Sequence, residues 1–472
     1  VSEMSNLSEQ RFDMVVIGSG PAGQKAAVQA AKAKASVVVI EEGAAVGGAC
    51  VHRGTIPSKT LRETAVALGL LRRRSAGVLD LQPPEGLKLA SLMTRLDQVV
   101  TAHQHFIKDQ LERNGIAQWH GRAKFISPHV IEVRGPDGSV RRAHAAHVVI
   151  ATGSKPRNPA GVPIDHENVL DSDSILTLSY LPRSLAVIGS GVIATEYASV
   201  FAALGVTVTM IDKSPRPLAF LDEELTNEVS RSFERAGGTY LGGRNAKQIV
   251  WDGLEVHTTL DDSRVVRSEK LLYCLGRESN VAGLALENAG LGPTTRGLIA
   301  VDACCRTIVP HIYAVGDVIG PPSLAATAME QGRRAACHAL GLPLPASNDL
   351  VPAGVYAIPE LSMVGLSEAQ ARERFGGAIV GRASFAELAR GQISGIEEGL
   401  LKLVCDGEGK KVLGVHIVGE GATELVHVGQ VALIAGWDVD QFVENVFNFP
   451  TLAEAYRVAA LDVCKQRAKL HK

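Results

Sequence analysis

Met14-Val15-Val16-Ile17-Gly18-Ser19-Gly20-Pro21-Ala22-Gly23 decides the fold of this chain. The apolar run reads as a strand; an Ala-rich helix follows to about Lys34, then a second strand from Ser36 to Ile40. That is a complete βαβ opening. Its glycines have separate tasks: a tight turn at Gly18, close backbone approach to a pyrophosphate at Gly20, and helix-on-strand packing at Gly23, with the helix N-terminus facing the phosphates. Glu41 closes the second strand, placed to accept ribose hydroxyls.

The pattern returns downstream. Leu185 to Ile188 leads into Gly189-Ser190-Gly191-Val192-Ile193-Ala194, a helix to about Leu204, and a strand from Val206 to Ile211 that ends in Asp212. Ala194 stands in the third glycine position and is small enough for that packing role. Two dinucleotides are therefore expected. Two further segments end apolar strands in glycine, where ligands meet a parallel sheet: Ala151-Thr152-Gly153-Ser154, and Ile312 to Val315 running into Gly316-Asp317. Asp317 has two readings, a ligand-binding carboxylate or the cap of a helix starting near Ser323.

Composition agrees with an α/β chain of several domains. The 472 residues exceed one ordinary core, and 46% hydrophobic with 21% charged residues fits a globular protein. A formal charge of -2 gives no field for nucleic acid or anionic lipid, and the triplet Arg72-Arg73-Arg74 reads as a solvated helix face. Residues 1 to 11 are polar, and no apolar run approaches the ~20 residues of a membrane span, so a cytoplasmic protein without membrane partners is expected. Seven scattered cysteines without a C-x-x-C, and His103-Gln104-His105 without partners at ligand spacing, give no metal site. Helices are expected near Ser58 to Arg74 and Leu89 to Asn114, packed as an antiparallel pair. A strand-rich stretch follows to Ile150, and from about Asp349 comes a strand and helix texture with no nucleotide fingerprint.

The segment Gly47-Gly48-Ala49-Cys50-Val51-His52-Arg53-Gly54-Thr55-Ile56-Pro57-Ser58-Lys59 resembles the active-site helix of the pyridine nucleotide-disulfide oxidoreductases, and the order of the other motifs matches that family over nearly the whole chain. The resemblance implies an α/β protein with two Rossmann-like domains and a C-terminal α+β interface domain. An FAD domain would occupy 1–155 and 281–348, an NAD(P) domain 156–280, and a dimerisation domain 349–472, giving a homodimer. FAD contacts are implied at Gly18, Gly20, Gly23, Glu41, Gly48, Cys50, Thr55, Lys59, Thr152, Gly153, Gly316 and Asp317. Nicotinamide nucleotide contacts are implied at Gly189, Gly191, Ala194, Asp212 and Gly276. The resemblance also pairs Lys59 with Glu196 beside the flavin as the catalytic residues.

Two departures carry the functional information. Thr55 stands where the family has its second, flavin-proximal cysteine, and Phe449 stands for the histidine of the family's H-P-T-x-x-E segment, here Asn448 to Glu454. A redox disulfide needs two sulfurs on Cα atoms about 4.4 to 6.8 Å apart, and the next cysteine after Cys50 is Cys274. Thiolate chemistry also needs a base near pH 7, which imidazole supplies and a phenyl ring does not. What remains of the family's chemistry is hydride delivery from a reduced nicotinamide to FAD, and the segment Phe447 to Leu461 resembles the transhydrogenase branch of the family, which implies exchange between NAD(H) and NADP(H). Three alternatives stand beside it: an NAD(P)H diaphorase or quinone reductase, a single-thiol oxidoreductase using Cys50, and a non-catalytic redox sensor. Asp212 favours an NAD ribose and repels a 2′-phosphate, while Lys213 and Arg216 either offset that repulsion or form a solvated loop.

Overall fold

The structure, a computed structural model, describes residues 8–75, 89–346, 350–396 and 398–470. The side chains of Arg72-Arg73-Arg74 and the start of the polar N-terminal segment lie outside the described residues, as does the connection 76–88. The described residues form two compact units, one drawn from 1–60, 93–157 and 276–347, the other from 61–92, 158–275 and 348–472.

In the first unit, Ser8–Ile17 is the parallel neighbour of both Val37–Glu41 and Val140–Ile150. Ala117–His120 extends one side of this sheet, Ile312–Ala314 pairs with the other, and an antiparallel meander, Val130–Arg134 and Arg122–Ser127, completes it. The opening strand is apolar without alternation because both its faces are covered. Met14 and Val16 join one core with the helices Pro21–Lys32 and Ala325–Ala339, while Val15 and Ile17 join another under the meander. The two helices pack closely: a Cβ at Gly332 would lie 2.0 Å from the Ala22 carbonyl oxygen.

The second unit holds a parallel sheet in the order Thr239–Gly242, Thr207–Asp212, Ser184–Ile188, Lys270–Tyr273 and Val169–Leu170. It also holds an antiparallel sheet in the order Ala353–Val355, Leu361–Gly365, Val412–Val418, Leu400–Cys405 and Ile379–Ser384. The helices Ala422–Ala435 and Glu454–Leu470 cover the latter. Both long helices of the N-terminal third are present, as Thr55–Ser75 and Leu89–Arg113. The first begins ahead of Pro57 rather than after it. A proline in the first turn costs nothing, because amides there have no intrahelical acceptor.

A buried ion cluster lies in this unit. Lys402 Nζ is 2.8 Å from Asp222, 2.7 Å from Glu224 and 2.8 Å from Glu368, with only 3% of its side chain exposed. Asp222 also caps the helix Glu223–Arg235 by accepting from the Glu224 amide. The Arg382 guanidinium, then Lys402, hold Glu224 down to about 2 against the pull of burial. A depressed carboxylate adds stability that is full above its unfolded value and lost as pH falls through its folded one. Urea midpoints of the full chain are therefore expected to fall between pH 4.5 and about 2. Glu224→Gln should flatten that limb, and an unchanged slope would show that Glu224 does not carry it.

Candidate dinucleotide sites

Both glycine turns have the same construction. Gly18 has φ +103°, and a Cβ there would lie 2.4 Å from the Ala151 carbonyl oxygen; Gly189 has φ +116°, and a Cβ would lie 2.9 Å from the Cys274 carbonyl oxygen. In each case the turn presses on the residue just past a neighbouring parallel strand, so the glycine is required by the fold. Gly23 is required likewise, 1.9 Å from the Gly18 carbonyl oxygen once a Cβ is added. Ala194 in the second copy is buried and accommodated.

The middle glycines differ. Gly20 and Gly191 have ordinary extended backbones, φ -67° and -73°, that any residue adopts. A Cβ on Gly191 meets no atom within 4 Å, and one on Gly20 meets only the Gly48 Cα at 4.0 Å. Nothing in the protein demands glycine at either place. Each is also the N-cap of a helix with no side-chain cap and no acid in the first turn, although Ser, Thr, Asp and Asn dominate such positions elsewhere. Open amides and an empty cradle at a positive helix end suit a pyrophosphate.

Around the first cradle the polar groups are ordered from within. Ser19 donates its amide at 2.9 Å and its hydroxyl to Glu41 Oε2, accepts the Gly47 amide at 2.9 Å, and is fully buried. Glu41 Oε1 takes the Gly43 amide at 2.8 Å. Three of about four carboxylate acceptor positions are thus used, leaving room for one ribose hydroxyl. Thr152 Oγ1 is buried with no hydrogen-bond partner, an orphan of the kind a ligand satisfies. Gly153 and Gly276 both have positive φ, with open space where a Cβ would stand.

Asp317 does not cap a helix. The helix it was expected to cap begins at Ala325 with Leu324 as its N-cap, whereas Asp317 sits in the short turn Gly316–Ile319 and accepts the Ser154 hydroxyl at 2.7 Å. Arg277 completes this relay, donating from Nε to Ser154 Oγ at 2.8 Å and from an Nη to the Ser154 carbonyl at 2.7 Å. Gln331 Oε1 receives the Gly316 amide at 2.8 Å. Ser19, Ser154, Arg277 and Gln331 were not singled out from sequence, since their roles depend on contacts far apart in the chain; Ser19 and Ser154 lay inside quoted motifs and were the available signal.

Cys50 lies on the short helix Gly48–His52, near the start of Thr55–Ser75. All seven cysteines carry free thiols. Burial pushes the Cys50 thiol up, only partly countered by a hydrogen bond with Thr55 and by the charge of Lys59, and Asp317 pushes the same way as burial. Lys59 Nζ donates to Ser58 Oγ at 3.3 Å.

In the second unit, Glu196 stands on the helix Val192–Ala203, buried, and accepts the Tyr356 amide at 2.8 Å. Asp212 Oδ1 accepts the Ser214 amide at 2.7 Å. Arg216 is half-buried and partly engaged: its Nε donates to Thr226 Oγ1 at 3.0 Å and one Nη to the Leu221 carbonyl at 3.1 Å. Lys213 is exposed. Phe449 is 68% exposed. Among the described residues no group of three or more His, Cys, Asp or Glu is placed to hold a metal, and no helix is long and apolar enough to cross a membrane.

Residues 12–332 match the family model described as pyridine nucleotide-disulphide oxidoreductase, and residues 351–460 match that family's dimerisation domain. The chain belongs to the pyridine nucleotide-disulphide oxidoreductase family. It is 43% identical over 98% of its length to a protein of Mycobacterium bovis named soluble pyridine nucleotide transhydrogenase, covering 99% of that relative. Proteins of the same name from Hahella chejuensis and Yersinia pestis are 40% and 41% identical over 97% and 96% of this chain, which spans 99% and 97% of theirs. Among solved structures, LpdA of Mycobacterium tuberculosis superposes with a TM-score of 0.88 at 28% identity, and the HOCl-induced flavoprotein disulfide reductase RclA of Escherichia coli with 0.87 at 26%. Each alignment covers 96% of this chain and 99% of the other. The family uses FAD, and the Gly20 cradle with the orphaned Thr152 hydroxyl fits that cofactor.

Two measurements follow from this geometry. Gly20→Ala and Gly191→Ala should both fold with an unchanged melting temperature; the first should lose FAD and the second should raise the KM for nicotinamide nucleotide, each by roughly tenfold, about 1.4 kcal/mol of binding. Normal FAD content and normal KM would disprove the cradles. Because the Cys50 thiol is raised, its alkylation by iodoacetamide should still be accelerating beyond pH ~8.5, the ordinary thiol midpoint. A plateau at neutral pH would reveal a thiolate instead.

Proposed function

We propose that this protein moves hydride between NAD(H) and NADP(H), with FAD held by the first unit and nicotinamide nucleotides by the second. The residues around Gly20 and Thr152 would hold FAD, which would supply the hydride acceptor and donor between a reduced and an oxidised nicotinamide. The observation that carries the reading is the thiol site: Cys50 is a free thiol with Thr55, not a second cysteine, five residues on, and Phe449 takes the place of the histidine in the segment Asn448 to Glu454. Relatives named for transhydrogenation, aligned over nearly their whole length, point the same way.

We assign 1–155 and 281–348 to FAD, 156–280 to the nucleotide substrate, and 349–472 to a homodimer contact. Matching of 351–460 to a dimerisation domain supports the last, as does the exposure of Val431, Ile434, Val446, Phe449 and Leu461. Gly18, Gly20, Gly23 and Gly48 shape the FAD pyrophosphate cradle, with Glu41, Thr152, Gly153, Gly316 and Asp317 taking polar atoms of the cofactor. Gly189, Gly191 and Ala194 do the same for the substrate, Asp212 takes its ribose, and Gly276 leaves space beside it. Lys59 supplies positive charge and Glu196 an anchored carboxylate to orient the nicotinamide. Exposed Lys213 and half-buried Arg216 are the cations that would tolerate a 2′-phosphate beside Asp212. The site is read as cytoplasmic.

Purified enzyme should reduce thio-NAD+ with NADPH and leave lipoamide and glutathione disulfide untouched. Cys50→Ser should keep hydride exchange within about twofold, far less than the 10²-fold or more that losing a nucleophile costs. Rapid disulfide reduction without exchange would sink the proposal, and electron transfer to quinone in place of NAD+ would favour a diaphorase.

A further inference from the structure

The segment Tyr356 to Glu360 joins two antiparallel strands, Ala353–Val355 and Leu361–Gly365, and bonds mainly to other elements of its unit. The Tyr356 amide donates to Glu196 Oε1 at 2.8 Å, and the Ile358 amide to Ser199 Oγ at 3.1 Å. Ser199 Oγ in turn donates to the Glu196 carbonyl at 3.0 Å. From the other side, Arg62 Nε donates to the Ala357 carbonyl at 3.0 Å, and an Arg62 Nη lies 3.8 Å from Glu360 Oε2. Glu360 is fixed by the Gly421 amide at 2.6 Å and the Thr423 hydroxyl at 2.8 Å. Arg62 and Glu360 are each only 7% exposed. Arg62 also lies one helical turn beyond Lys59 on the helix Thr55–Ser75.

Three consecutive residues, 356 to 358, thus alternate between the two helices: the amides of 356 and 358 hold the helix of Glu196, and the carbonyl of 357 holds the helix that carries Lys59. The Arg62 guanidinium also reaches the largely exposed Glu63 carboxylate at 2.6 Å, yet it is itself buried, and burying a charge is a costly way to secure a loop, since it must be desolvated. What it secures is the amide that fixes the Glu196 carboxylate. We propose that Arg62 and Glu360 are positioning residues for hydride exchange: they hold the 356–358 backbone in register so that the Tyr356 amide aims Glu196. The proposal rests on the reading of Glu196 as a nicotinamide-orienting residue. Reaction rates are sensitive to such aim, because displacements near 1 Å cost up to about 10²-fold.

Arg62→Met, Arg62→Lys, Glu360→Gln, Ser199→Ala and Glu196→Gln would be made in the full-length, FAD-loaded enzyme. Each would be measured for NADPH to thio-NAD+ exchange, melting temperature, and amide hydrogen exchange at Tyr356 and Ile358. Arg62→Met should lower kcat roughly tenfold with KM held within about twofold, and should speed exchange of the Tyr356 amide. Glu360→Gln should do the same more weakly, and Arg62→Lys should recover part of the rate. Ser199→Ala, a mild change if Arg62→Met does not fold, should act in the same direction by about threefold. Faster amide exchange with unchanged kcat would make Arg62 merely structural and overturn the proposal, as would a lowered kcat with Tyr356 still protected. Full activity in Glu196→Gln would remove the underlying reading instead, recognisable because amide protection would still follow Arg62.

Discussion

Everything at the two dinucleotide sites depends on a carbonyl oxygen occupying the space where a Cβ would be. Ala151 and Cys274 each end a crossover strand, and each presses its carbonyl against the glycine of a strand-to-helix turn. That contact sets where the following helix begins, and so where its free amides point. Because the helices are left uncapped, with Gly20 and Gly191 in unstrained backbone and open space beside them, the protein stops short of satisfying its own helix ends. Amides without an intrahelical acceptor, one fewer at the first helix because Pro21 carries no N–H, are a cost in the free protein and a site for a phosphate ligand.

The same geometry separates two kinds of glycine that look alike in sequence. Gly18, Gly189 and Gly23 are fixed by steric contact within the chain and would be kept in a protein that bound nothing. Gly20 and Gly191 are fixed by nothing inside the chain, so their smallness points outward. A fingerprint of three glycines therefore mixes folding information with binding information, and only the contacts around each position sort one from the other. Ala194 makes the point in reverse: the second copy tolerates a methyl group where Gly23 could not.

Most of the architecture was legible because it is local. Both βαβ openings lie where the apolar runs and glycine turns put them, since period and turn residues act over a few positions. The site was legible in its outline and not in its wiring. Of the two readings of Asp317, the helix cap fails because that helix starts at Ala325, and the two readings of Arg216 left out its bonds to Thr226 and Leu221. The relay from Arg277 through Ser154 to Asp317 joins residues more than a hundred positions apart, and no pattern along the chain carries such a contact. Lys402 is the extreme case: a lysine in a strand reads as exposed, and only three converging carboxylates explain why it is buried.

The thiol site shows how a retained residue can change its meaning without changing its place. Cys50 keeps the position of a reactive sulfur, but reactivity belongs to the thiolate, and burial opposes that charge here. A second sulfur could take up electrons from the first; the Thr55 hydroxyl can only share a proton with it. Cys50 carries a free thiol, and the imidazole on its own short helix, that of His52, is turned to the Val46 carbonyl at 2.8 Å. On the proposed reading Lys59 and the Glu196 carboxylate serve hydride exchange without a disulfide, so Thr55 in place of a cysteine and Phe449 in place of a histidine would remove one reaction and leave those groups in place.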